Sequence, residues 1–222
     1  MSGFWGKLFR RRQGDDTTLL SQKRSTLAIS RAQAYARERG WVFTEQQEQV
    51  LSDTLQNLSQ FGFHPGTPID IAYVAYHCQG GLARFMAQPC RELLKLRGPE
   101  LEPLFNRVLL PDVYAPGEED AYVDLLWEAV SAAETSEYLS NVSATMDFSH
   151  TRRGTLSYTF AQRRVTHHIR LHLPHGDPDV VAEIAANISP AHFDLISDGE
   201  SFYCWVRSRS TRDFLALLQE EE

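Results

Sequence analysis

The chain has 222 residues, 42% of them hydrophobic and 23% charged, the make-up of an ordinary globular protein with material for one large core or two small ones. Its formal net charge of −7 argues against a broad positive field for gripping nucleic acid. No apolar run approaches the roughly 20 residues of a transmembrane helix; three widely spaced cysteines without a C-x-x-C pair suit packing in a reducing compartment, so the cytoplasm is the expected location.

Residues 1–16 read as a flexible tail. The run SGFWGKLFRRR puts its apolar positions ahead of its charges and lacks the long apolar core of a secretory signal peptide. Phe4, Trp5, Leu8 and Phe9 would share one face of a short helix with Lys7 and Arg10, Arg11 and Arg12 around it, enough for weak contact with a membrane surface.

Residues 17–140 read as a helical region. A first helix is expected to run to Arg39, where Gly40 supplies the stop. Thr44 and Gln47 have the spacing of a capping box, and Leu51, Leu55 and Leu58 share a face of the helix behind it. Thr67 and Pro68 are expected to open the next helix, because proline loses nothing at the first helical position; Ile71, Val74, Ala75 and Cys78 give its stripe. Gly80 and Gly81 break the chain before Leu82, Phe85 and Met86, and Pro89 restarts a helix ahead of Leu93 and Leu94. The most regular helix is expected from near Gly117, where Tyr122, Leu125, Leu126, Ala129, Val130 and Ala133 recur on one face.

The acidic residues concentrate here. Residues 98–140 hold ten acidic residues against one basic, Arg107, a local charge of −9. Glu118, Glu119 and Asp120 fall in the expected first turn of the last helix, where the macrodipole favours negative charge. Asp120, Asp124 and Glu128 lie one turn apart, away from the apolar face. These five are the candidate partner-binding residues, suited to a basic protein through fast, salt-sensitive association.

Residues 141–222 change to a period of two. Val142, Ala144, Met146 and Phe148 alternate with polar residues, Arg153 and Gly154 are expected to turn the chain, and Leu156, Tyr158 and Phe160 continue the alternation. A third strand places Val165, His167, Ile169, Leu171 and Leu173 on one face and Thr166, His168, Arg170 and His172 on the other. A helix through Val180, Val181, Ile184, Ala185 and Ile188 follows, then two strands (Phe193 to Ile196 and Phe202 to Val206) about an Asp198-Gly199 hairpin signal, and a last helix with Phe214, Leu217 and Leu218. The fold class is therefore α+β: a helical N-terminal region followed by an antiparallel region of order β-β-β-α-β-β-α, with helices on one sheet face and Ser, Thr, His and Arg on the other.

No phosphate loop, G-x-G-x-x-G turn, H-E-x-x-H pair or G-x-S-x-G elbow occurs, and the balance is against an enzyme. His168, Arg170 and His172 are the candidate catalytic residues, because they share a strand face and could line a polar groove. His168 and His172 alone do not make a metal site: four strand residues span roughly 13 Å, too far for one ion at about 2 Å from each nitrogen. A partner such as His150 on a neighbouring strand would be needed. Neither a metal nor a cofactor is called for. Residues 141–222 hold eleven acidic and eight basic residues, which disfavours direct contact with nucleic acid.

The expected function is that of a cytosolic protein-binding protein using its acidic surface, most concretely a bacterial immunity protein neutralising a basic toxin such as a nuclease. The alternatives are a chaperone or adaptor for a secreted effector, docking through the exposed sheet or a helical groove, and a hydrolase for a phosphorylated or nucleotide-like substrate.

Overall fold

The computed structural model describes residues 16–99, 101–111, 121–149, 151–171, 177–189, 192–197 and 202–221, with the side chains of the first helix described from residue 26. The helices are α1 (Asp16–Glu38), α2 (Glu45–Gln60), α3 (Ile71–His77), α4 (Ala83–Ala87), α5 (Pro89–Leu94), α6 (Ala121–Ala132), α7 (Pro178–Ile188) and α8 (Thr211–Gln219). The strands are β1 (Val108–Leu109), β2 (Leu139–Asp147), β3 (Arg153–Phe160), β4 (Arg163–Arg170), β5 (Phe193–Ser197) and β6 (Tyr203–Arg207). The α+β class holds, with the helices leading and the strands antiparallel. The N-terminal residues Phe4, Trp5, Leu8 and Phe9 lie outside the described residues.

Local chemistry sets the helix ends. Gln47 N–H donates to Thr44 Oγ1 at 3.2 Å and Thr44 N–H to Gln47 Oε1 at 2.9 Å, the reciprocal capping box. Gly40, at φ +65°, closes α1 as its N–H donates to Arg37 O and the Trp41 N–H to Ala36 O. The helix expected at Thr67 and Pro68 begins later. Asp70 caps α3, one oxygen accepting from Tyr73 N–H at 2.8 Å and the other from Gln33 Nε2 of α1 at 2.6 Å. A carboxylate that satisfies an orphan N–H starts a helix more effectively than a proline that merely tolerates the position.

The strands form two antiparallel three-stranded sheets, β2-β3-β4 and β1-β6-β5, rather than one. β1 falls inside the stretch read as helical. Its surroundings are a short apolar run bounded by Pro103 and Pro111, with Arg107 at φ +60°, and such a run cannot hold a helix. The turn expected at Arg153 and Gly154 is also displaced, since both lie in β3. The chain turns after Asp147 instead, where the Asp147 carboxylate accepts from Ser149 N–H at 3.0 Å, Ser149 Oγ at 2.7 Å and Thr151 Oγ1 at 3.0 Å. Gly154 serves packing: a Cβ there would collide with Met146 Sδ.

The β3–β4 hairpin turns on Ala161 and Gln162, at φ +47° and +63°, between the paired residues Phe160 and Arg163. In β2 the pairing steps from Ser140 opposite Thr159 to Ser143 opposite Ser157, so Asn141 and Val142 together face Tyr158. This bulge brings Leu139 and Val142 to the same face despite their odd spacing.

Two hydrophobic cores result, and β6 lies between them. Phe202, Cys204 and Val206 enter the core built with α2, α3, α5 and α8; Tyr203 and Trp205 enter the core built with α6, α7 and the β2-β3-β4 sheet. β1 divides likewise, Val108 to the first and Leu109 to the second. The β1-β6-β5 sheet is thus a middle layer, and each core draws on residues from both sides of position 140. Among the described residues no helix is long and apolar enough to cross a membrane.

Candidate functional site

The strand alternation decides where polar chemistry can collect. Leu156, Tyr158, Phe160 and Ile169 turn one face of the β2-β3-β4 sheet into the second core, under α6 and α7. The opposite face is therefore built from the intervening residues in cross-strand rows: Asp147–Arg153–Arg170, Thr145–Thr155–His168, Ser143–Ser157–Thr166 and Thr159–Arg164. All of these side chains are exposed or half-buried. The first two rows line a shallow groove of about 410 Å³, with Gly154 and Ile169 between them.

Arg170 is held in place at one wall. Its Nε donates to Asp177 Oδ2 at 2.9 Å, its Nη2 to Asp177 Oδ1 at 2.6 Å and to Asp179 Oδ2 at 2.5 Å, and its backbone N–H to Asp177 Oδ2 at 2.9 Å. Asp177 is buried, and its own N–H donates to the Tyr122 hydroxyl at 2.7 Å. Burial pushes the Asp177 carboxyl up, but the hydrogen bonds from Arg170 outweigh it and hold the group below its ordinary value of 3.8. Arg153 stands directly opposite Arg170, exposed and without an ion pair among the described residues.

Of the candidate catalytic residues, His168 and Arg170 thus meet in one groove, while His172 and the possible partner His150 lie outside the described residues. Arg153, Thr145 and Thr155 complete the groove and depend on strand register, which the alternation alone does not supply. His167 makes the more elaborate contacts. It is buried, with Nε2 3.1 Å from Tyr158 Oη and Nδ1 2.8 Å from Glu183 Oε2 on α7. Burial, and then the Glu183 charge, push the Tyr158 hydroxyl well above its ordinary range, so it remains a neutral donor. The inward parity of His167 beside Val165 and Ile169 signals its burial; its partners are not encoded locally.

This arrangement is a structural tie between β4 and α7. Replacing His167 with leucine leaves the buried Tyr158 hydroxyl without its partner, at an expected cost of about 2 kcal/mol. Adding Tyr158→Phe should return part of that loss, and urea unfolding of the single and double variants measures it.

The candidate partner-binding residues are less open than their charge suggests. Asp124 and Glu128 lie on α6 but are half-buried, and of the α6 residues only Ser131 is exposed. Glu118, Glu119 and Asp120 lie outside the described residues. Arg107, the one basic residue of the acidic stretch, pairs with Glu134 at 2.8 Å, whose other oxygen accepts from Asn106 Nδ2 at 2.9 Å. Desolvation pushes the Glu134 carboxyl up, yet these partners hold it below its ordinary value.

Among the described residues no group of three or more His, Cys, Asp or Glu side chains could hold a metal ion. The buried Cys90 thiol is pushed up by desolvation and then by Glu221, whose carboxylate accepts from Cys90 N–H at 2.7 Å and Arg91 N–H at 3.2 Å. It is a packing residue, not a thiolate nucleophile. Compared with protein-family models, curated proteins and solved structures, the chain matches none.

Proposed function

We propose that this chain is a protein-binding protein that docks its partner on the open face of the β2-β3-β4 sheet, in the manner of a chaperone or adaptor. The observation that carries this reading is the face itself: successive cross-strand rows of hydroxyl, guanidinium and imidazole groups, exposed or half-buried, on a sheet whose other face is sealed by α6 and α7. A rigid sheet presents these groups in fixed register, so little ordering entropy is lost when a partner binds. The middle row tests it. Ser157 and Thr166, 3.0 Å apart, can both become tyrosine, which strands tolerate and which blocks the face without changing its charge. A pull-down from the native host with this double variant should lose the partner that the wild-type chain retains; equal recovery would rule out docking on this face.

The net charge favours a second reading, a basic protein partner held at the acidic side of α6, most concretely a toxin bound by a cytoplasmic immunity protein. Lysine at Asp124 and Glu128 should then weaken capture and flatten its salt dependence, measured as recovery at low and high ionic strength. Hydrolysis ranks below both, because among the described residues no side chain orients His168 as a general base.

A further inference from the structure

We propose that the groove formed by Arg153, Arg170, Thr145, Thr155 and His168 is a binding site for a phosphate monoester. The proposal deepens the docking reading, on which it rests for the ligand being carried by a protein. Arg153 and Arg170 are directly paired across β3 and β4, placing two guanidinium groups side by side on one face. Arg170 is neutralised by its carboxylates and Asp147 stands opposite Arg153 across β2, so the two forks stay side by side in the free protein. Asp177 and Asp179 occupy Nε and Nη2 of Arg170 and fix its plane, while its Nη1 has no partner among the described residues. Arg153 has no carboxylate partner there at all. A dianion seated between the two meets one preorganised and one adaptable donor fork.

The rest of the lining selects phosphate over carboxylate. A carboxylate offers two coplanar oxygens and one charge, which a single guanidinium satisfies. A phosphate monoester carries close to two charges and three terminal oxygens. The hydroxyls of Thr145 and Thr155 and the imidazole of His168, one row further along, supply the additional donors. The groove volume of about 410 Å³ accommodates a phosphoryl group and the first atoms of its ester. Asp147 is the one carboxylate of the lining, and its oxygens accept hydrogen bonds from the neighbouring loop at Ser149 and Thr151. No Phe, Tyr or Trp occurs in the cross-strand rows of this face, and the single ring of His168 is no platform for a run of stacked bases, so the ester is that of a phosphorylated side chain or a sugar, not a nucleic-acid strand.

The test is a titration of the full chain, followed by backbone amide shifts, with inorganic phosphate, a phosphoserine peptide and the same peptide unphosphorylated. Phosphate and the phosphopeptide should shift the amides of Thr145, Thr155 and His168, and the unphosphorylated peptide should not. Arg153→Gln should weaken phosphate binding by about tenfold or more, with Arg153→Lys recovering only part because it keeps the charge and loses the fork. A phosphopeptide that binds much tighter than inorganic phosphate names a protein source; equal affinities name a small phosphoester, and both support the site. Phosphate that leaves these amides unmoved, or that binds Arg153→Gln as well as wild type, overturns it. The charge-neutral Ser157→Tyr, Thr166→Tyr variant should still bind phosphate, so failure of the groove and failure of docking are told apart.

Discussion

Replacing Trp205 with alanine should cost about 4 kcal/mol of stability, the largest effect of any single change considered for this chain. The indole is fully buried in β6, beside Leu109 and Tyr203 in the core beneath α6 and α7. Its removal leaves a void in a layer pinned from both sides, where neighbours cannot collapse inward. Trp205→Phe should behave very differently. The indole Nε1 is buried and has no hydrogen-bond partner among the described residues. An unpaired buried donor costs about 1–3 kcal/mol, so phenylalanine trades a smaller void against the loss of that penalty and should stay within about 1.5 kcal/mol of wild type. Urea unfolding monitored by far-UV circular dichroism measures both. Equal losses for the two variants would show that ring volume is not what the site demands.

The second large effect is at Asp177. Its carboxylate is the shared acceptor for the Arg170 backbone and guanidinium, and alanine leaves both without it. The Arg170 side chain is 48% exposed, so solvent screens the ion pair and most of the loss comes from the buried acceptor; about 2–3 kcal/mol is expected. The pH dependence has a definite sign. A carboxyl held below its unfolded value of 3.8 contributes stability that is complete above that value and is lost as pH falls through the lower folded value. The gap between wild type and Asp177→Asn should therefore be constant near neutrality and close as the solution is taken below about pH 4. A gap that persists unchanged in acid would assign the role of Asp177 to shape and not to charge.

Much of this architecture is legible in the residues themselves. The Thr44–Gln47 box is a local contract between neighbours, and the alternation from Thr155 to Arg170 is clear because one face of that sheet meets water. The division into two sheets is not legible, for the opposite reason. β6 is buried on both faces, so Tyr203, Cys204, Trp205 and Val206 show no period that would reveal two separate cores. β1 is too short for any period, and the loop after β2 is decided by where the Asp147 carboxylate finds donors. The candidate site divides in the same way. His168 and Arg170 share a face by simple parity, but Arg153 and Thr155 join them through the register set by the Ala161–Gln162 turn, and Thr145 through that set by the Asn141–Val142 bulge. Parity also directs His167 inward, yet Glu183 reaches it from a helix that only tertiary packing brings near.

The double duty of β6 has a consequence for how the chain acquires its structure. Val108 pairs with Cys204, so the strand that completes both cores joins its neighbour across nearly half of the chain. Closing so long a loop must precede most of the contacts that reward it, which makes folding slow for a protein of this size. During synthesis the helices from α1 to α5 emerge with a core that stays incomplete until the segment from Phe202 to Leu218 arrives. Once that strand is seated, neither core can open without exposing the other, so hydrogen exchange should be slowest along β6 and the two halves should melt in a single transition.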